Sequence, residues 1–337
     1  MYDLDGSAGG GQLVRSALTL SVLTGEAFRM SEIRGARPNP GLRPQHLAAV
    51  GVAAAVCDAD VTGAAVDADE LAFEPGTLRG GTVDVDVGTA GSVTLVFDVV
   101  LPLALALPEP LVVTATGGTD VAWSPTAAYY RRVKLPLLGE RGLHASLDVD
   151  RPGFYPVGGG EARLSVAPST LERFASTERG ALEGYRVHST ASMDLSGADV
   201  ADRQADAAID VLESTGASVV ERTVTYAAAD SPGSALAVRA DYDESLAGFD
   251  ALGERGKPAE DVGEEAAEAA LAFEGGRAAV DEHAADQVLV FLALAGGRVA
   301  VPRVTDHVLT SLDLLDTFGF DVRVDETPTG PVLVGDG

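Results

Sequence analysis

The 337-residue chain is 46% hydrophobic and 22% charged, which excludes a disordered polymer and leaves room for a large core or two domains. Its 51 Asp and Glu against 24 Lys and Arg give a formal net charge of −27, which would ordinarily argue against a nucleic-acid partner. A single cysteine, Cys57, excludes an internal disulfide and any multi-cysteine metal site.

The charge has a second reading. Nearly all the basic residues are arginines, Lys134 and Lys257 being the only lysines, and alanine is abundant. This is the composition of a protein that works in concentrated salt, where charges are screened within roughly 3 Å. RNA therefore stays open as a partner, held by short arginine hydrogen bonds rather than by counterion release. The apolar stretch from Val93 to Leu107 is broken by Asp98 and Pro102, so no membrane span is expected. With Asp3 and Asp5 where a signal peptide would be apolar, the expected location is the cytoplasm.

In chain order, three segments open on a small-residue or polar turn and run into an apolar helix. They are Gly9-Gly10-Gly11 into Gln12–Thr24, Gly88-Thr89-Ala90-Gly91 into Ser92–Ala106, and Glu282–Gln287 into Val288–Ala295. Each is followed, after a strand-like stretch, by a second helix: Arg43–Cys57, Pro125–Leu138 and Thr305–Phe318. In the last, Val308, Leu312 and Leu315 share one face. Thr82–Val87 alternates with the period of a half-buried strand. The pattern predicts an α/β (α+β) fold of three repeated βαβα-plus-strand units. A segment with its own strand and helix signals (Tyr185–Met193, Asp202–Thr215, Ser218–Tyr226) interrupts the repeats. Residues 181–275 are accordingly expected to form a smaller α/β domain inserted between the second and third units, with 1–180 and 276–337 making the larger one.

Several features could carry chemistry. The Gly9-Gly10-Gly11-Gln12 turn would aim backbone N–H groups and a helix N-terminus at a phosphate, although such turns also serve as plain connections. It is no P-loop, since no Gly-Lys-Ser/Thr follows. Arg15, Arg34 and Arg37 lie close enough to grip anionic oxygens, or stand as solvated surface arginines. Of five histidines, His144 and His188 read as structural and His46 as ambiguous. His283 opens the polar helix start Asp281–Gln287, with Asp286 one turn on, an arrangement that suits either a ligand or a cap. His307 falls in the first turn of the last helix after a capping Thr305 or Asp306. A helix N-terminus attracts phosphate and favours an uncharged, nucleophilic ring, yet a histidine there more often only helps the helix start.

Taken together, the segments resemble the RNA 3′-terminal phosphate cyclase family over nearly the whole chain. The matching stretches are GGGQLVRSAL (Gly9–Leu18), IRGARPNPGLRPQHL (Ile33–Leu47), FEPGTLRGG (Phe73–Gly81), VGTAGSVTLV (Val87–Val96), GGTDVAWSP (Gly117–Pro125), GFYPVGGGE (Gly153–Glu161), DEHAADQ (Asp281–Gln287) and DHVLTSLDLL from Asp306. No single stretch is diagnostic; their order and spacing are.

The resemblance implies a ligase that uses ATP, with Mg2+ or Mn2+, to convert an RNA 3′-phosphate into a 2′,3′-cyclic phosphate. His307 matches the histidine that becomes adenylylated. Arg34 and Arg37 match phosphate-binding groups of the catalytic site. Gln12, Arg15, Gln45, Asp98 and the run His283, Ala284, Ala285, Asp286 and Gln287 match nucleotide-binding positions. The chain departs from the family at Ala8, where a glutamate implicated at the metal is usual, so no metal ligand is assigned. It departs also at Asp98, where glutamine is common, and at Ala128 and Pro152, where an acidic and a basic residue are. Asp5 is a possible substitute for the missing carboxylate. Two rivals are a non-catalytic, cyclase-like ribosome-assembly factor and an enolpyruvyl transferase of similar repeated architecture.

Overall fold

The computed structural model describes all 337 residues. The first unit runs β1 (Tyr2–Asp5), α1 (Gly11–Thr24), β2 (Phe28–Ser31), α2 (Pro44–Cys57), β3 (Asp60–Thr62) and β4 (Leu71–Glu74). Its sheet order is β1-β2-β4-β3, with β1 parallel to β2 and β4 antiparallel to both its neighbours. Helix α1 buries Leu13, Val14, Ala17 and Leu18, the i, i+4 stripe that an apolar face requires.

The second unit repeats the scheme: β5 (Gly81–Asp86), α3 (Val93–Val100), β6 (Leu111–Gly117), α4 (Ala127–Tyr129), a π turn over Tyr130–Lys134, α5 (Leu135–Gly139), β7 (Ala145–Arg151) and β8 (Gly160–Val166), in sheet order β5-β6-β8-β7. The helix expected over Ser92–Ala106 stops being α at Val100 and tightens into a 3-10 turn over Leu101–Leu105. Pro102 is the reason, since it has no N–H to donate and its ring crowds the preceding turn. Strand β5 lies at a sheet edge, and its alternation leaves Asp84 and Asp86 exposed.

The third unit begins with β9 (Phe174–Ser176). The chain then leaves to build β10 (Leu182–Ser192), α6 (Val200–Ser214), β11 (Val219–Ala227), β12 (Ser234–Tyr242), β13 (Leu246–Leu252) and α7 (Ala259–Glu274). It returns through α8 (Glu282–Gln287), α9 (Leu289–Ala295), β14 (Gly297–Ala300), α10 (Asp306–Thr317), β15 (Val322–Thr327) and β16 (Gly330–Gly335). Strand β14 pairs in parallel with β9, so the sheet order is β15-β16-β14-β9. This differs from the expected insertion between units: the break falls inside the third unit, after its first strand. A three-residue strand is too short for its alternation to be legible, which is why the sequence did not show it.

One core of 62 buried residues runs through all three units, while β10–β13, α6 and α7 enclose a separate core of 15. In the latter, helix α7 lies tight against α6 because Gly263 has no side chain; a Cβ there would stand 2.1 Å from the Gln204 carbonyl oxygen. The two bodies are fastened at the start of the α4–α5 helix. Asp250 of β13 accepts from Thr126 N at 2.8 Å. Buried Asp281 accepts from Tyr129 Oη at 2.7 Å, from Gly248 N at 2.9 Å and from Ala284 N at 2.9 Å. This seam forms one wall of the site.

Candidate active site

A cavity of about 840 Å³ lies between the N-termini of α8 and α10, the Trp123–Thr126 loop and the inserted body, which lends Asp250, Leu252 and Lys257 to its wall. Helix α10 starts where it does because Thr305 Oγ1 accepts from Val308 N at 3.2 Å, so Thr305 rather than Asp306 is the cap. His307 then projects from the first turn into the cavity, half exposed, with Nδ1 3.5 Å from Asp286 Oδ2. Asp286 comes from the far end of the six-residue α8, which thereby faces the start of α10 across the cleft. A carboxylate on the Nδ1 side orients the ring and leaves Nε2 as the free nitrogen.

Arg15, one turn into α1, lines the same cavity; its carbonyl accepts from Thr19 Oγ1, while its guanidinium makes no hydrogen bond or ion pair with the protein. Desolvation lowers its pKa below the ordinary arginine value, while Asp98 and Asp286 oppose the shift. An enclosed guanidinium without a fixed partner is suited to an incoming anion. Gln287 adds a buried side-chain oxygen, Oε1, that accepts no hydrogen bond. A donor on a ligand would satisfy it.

His283 lines the cavity too, edge-on to Tyr129 with ring centroids 5.5 Å apart and Nε2 3.7 Å from Asp250 Oδ1. Asp98 borders the cavity, but its carboxylate is paired with Lys134 at 2.5 Å, and both side chains are nearly buried. This pair answers much of its charge internally. Ala284 and Ala285 face the core instead, with Asp281 taking the Ala284 N–H as a cap. Their expected place at the nucleotide is not one the structure gives them: a helix shows one face to a ligand, and these are the other face.

The remaining expected residues gather beside the glycine turn rather than in the cleft. The Nε2 of Gln12 donates to Thr310 Oγ1 at 3.3 Å and so ties the start of α1 to α10. Arg37 is exposed beside Gly10 and has no partner in the protein. Arg34, in left-handed backbone at φ 57°, spends Nη1 on the carbonyls of Asn39 and Gly41, at 2.8 and 2.9 Å. It therefore shapes its own loop. Gln45 accepts from Ser92 N at 3.3 Å, tying α2 to the Gly88–Ser92 turn.

His46 resolves an ambiguity. It is buried, and its Nδ1 accepts from Arg43 N at 2.9 Å in a reciprocal cap. Burial, then Arg15, Arg34 and Arg43, push its pKa down to about 3, so the ring is neutral. Its Nε2 has no partner and stands where a Cβ on Gly11 would be 2.2 Å away, which is why position 11 needs glycine. Arg43, paired with Asp67, was missed from the sequence; its place three residues before His46 was the available signal. Arg303, bidentate to Glu282 at 2.5 and 2.8 Å, was missed as well, although it stands only four residues before His307. Asp5 accepts from Ser7 N at 2.8 Å and, like Ala8, does not line the cavity.

The RNA 3′-terminal phosphate cyclase family model matches residues 7–324. An RNA 3′-terminal phosphate cyclase of Halobacterium salinarum is 49% identical over 99% of both chains. One from Archaeoglobus fulgidus is 41% identical over 94% of this chain and 95% of that one. Among solved structures, the enolpyruvyl transferase NikO from Streptomyces tendae is 15% identical over 49% of this chain and 31% of its own, with a TM-score of 0.27. So slight a likeness carries no argument. The chain belongs to the RNA 3′-terminal phosphate cyclase family. No helix is long and apolar enough to cross a membrane.

Proposed function

We propose that this chain is an ATP-dependent RNA 3′-terminal phosphate cyclase in which His307 carries the AMP. The observation behind the reading is the His307–Asp286 pair at 3.5 Å, set at the first turn of α10 with Arg15 in the same cavity. His307 Nε2 attacks the α-phosphorus of ATP, forming a P–N bond as the bond to pyrophosphate breaks. An oxygen of the RNA 3′-phosphate then attacks that phosphorus, the P–N bond breaks, and a mixed anhydride results. Finally the vicinal 2′-OH attacks the 3′-phosphorus and expels AMP. Splitting the reaction this way turns a poor leaving group into a good one.

Arg15 and the N–H groups at the start of α1 supply positive potential for the phosphates, with Arg37 at the rim. Arg34 and Gln45 hold the loops that present them. His283 and Gln287 are assigned to the adenosine end. Residues 1–180 and 276–337 are assigned to the catalytic body and 181–275 to the inserted one, which closes the cleft through Asp250. Mg2+ or Mn2+ enters only as an ion held mainly by the triphosphate. No three His, Cys, Asp or Glu side chains converge into a metal cage, so the side chains present do not form a preformed site, and no step is drawn through the ion.

The test is labelling. Incubation with α-labelled ATP and divalent metal in concentrated KCl leaves acid-labile, alkali-stable label on the wild type and none on His307→Ala. Label retained by the variant overturns the nucleophile. A wild type that takes no label across a range of salt and metals favours the assembly-factor reading.

A further inference from the structure

The chain has ten phenylalanines, seven tyrosines and one tryptophan, and all but two are buried or half-buried. The two exceptions are Trp123, 99% exposed, and Tyr155, 77% exposed. The loops that carry them are bonded to one another. Thr119 N and Asp120 N both donate to the Gly153 carbonyl, at 2.9 and 3.2 Å, and Gly153 N donates back to Thr119 Oγ1 at 2.9 Å. The loop that carries Trp123 is thereby laced to the loop that carries Tyr155.

Neither ring is exposed through looseness. Trp123 sits at φ 63°, a left-handed conformation that strains a bulky residue. The conformation is enforced from both sides: Ser124 Oγ donates to the Val121 carbonyl at 2.9 Å, and Thr126 N is held by Asp250. Tyr155 is flanked by buried Phe154, which packs against Gly233, and by Val157, whose N donates to Ser231 Oγ at 3.1 Å. A backbone strained and fastened in order to push an indole into water calls for a ligand on that indole. Its position names the ligand, because Trp123 lines the cavity that holds His307 and Asp286, whereas Tyr155 lies outside it.

We propose that Trp123 and Tyr155 form a stacking platform for the last unpaired bases of the RNA whose 3′-phosphate enters the cleft, Trp123 taking the terminal base and Tyr155 one upstream. The proposal rests on the cyclase reading of that cleft. Charge argues the same way. A chain of net charge −27 attracts a polyanion weakly, and in concentrated salt the counterion contribution fades. Stacking of bases on aromatic faces survives salt and does not read sequence. An enzyme that acts on ends needs that indifference to sequence.

Trp123 is the chain's only tryptophan, so its fluorescence reports on the platform directly. Unstructured 3′-phosphorylated oligoribonucleotides are titrated into the full-length protein in concentrated KCl. Saturable quenching is expected, and an abasic 3′-terminal nucleotide should abolish most of it. Read by anisotropy of labelled RNA, Trp123→Ala and Tyr155→Ala each weaken binding roughly tenfold, the change that about 1.4 kcal/mol of lost stacking produces. Trp123→Phe restores most of the loss, which separates stacking from misfolding.

The platform is overturned by RNA that binds without quenching, by Trp123→Ala binding as tightly as the wild type, or by quenching with ATP alone that RNA does not extend. A shift in sedimentation of RNA-free Trp123→Ala would assign the face to a second copy of the chain and equally overturn it. Labelling by ATP on the same preparation keeps the two readings apart. Label without RNA quenching sinks the platform and leaves His307 standing; quenching without label sinks the cyclase chemistry and leaves an RNA-end-binding surface.

Discussion

At the scale of single residues, the decisive pair is Asp286 with His307. An imidazole held only by its own helix could turn about its side-chain bonds; a carboxylate 3.5 Å from Nδ1 selects one orientation. Misplacement of a reacting group by about 1 Å can cost roughly 100-fold in rate. Asp286→Asn is therefore expected to slow label incorporation by about that factor while the ATP concentration for half-maximal labelling changes little, as rapid-quench kinetics will show. Equal losses in both would make Asp286 a nucleotide contact rather than a positioning residue. His46 shows the opposite case, a histidine that is ambiguous in sequence and is spent as a buried cap among arginines.

The elements matter through their ends. Ser92, Thr126, Asp281 and Thr305 each cap the helix that follows, and all are residue types that sequence reasoning accepts as caps. The start of α4 is reinforced further by Asp120, whose Oδ1 accepts from Ala127 N at 3.1 Å and whose Oδ2 accepts from Thr119 Oγ1 at 2.6 Å. Burial nonetheless raises its pKa from 3.8 to about 6. A carboxyl with a raised folded-state pKa contributes stability below its unfolded value and loses it as pH rises through the folded one. Asp120→Asn keeps an acceptor for Ala127 and cannot ionise. Its melting temperature relative to wild type should thus climb between about pH 4 and 6 and level off above, as calorimetry will show. A flat difference would mean that the hydrogen bonds, not desolvation, set the carboxyl's behaviour.

For the whole molecule, charge governs the conditions of folding. A chain of net charge −27, with most of its 51 acidic residues outside the core, repels itself in dilute buffer, and concentrated salt screens the repulsion. The melting temperature is expected to rise steadily from dilute buffer to multimolar KCl; an unchanged value would overturn this account of the composition. The fold tolerates an interruption in its third unit because β9 and β14 pair side by side, so the excursion leaves and returns at one place on the sheet. The inserted body then adds Asp250 and Leu252 to the cleft from far along the chain.

How much of this was legible follows from what is local. The three-fold repeat, the helix starts and the place of His307 in a first turn depend on periodicity and capping within a few residues, and these the sequence determined by itself. The family motifs added the expected roles, again segment by segment. Only the tertiary structure decided which face of α8 meets the cleft, removing Ala284 and Ala285 and setting Asp286 against His307. It alone turned Arg34 inward to its own loop and brought Trp123 to the mouth of the site. Those choices arise where elements distant in sequence pack together, and no spacing within one segment encodes the distance between two.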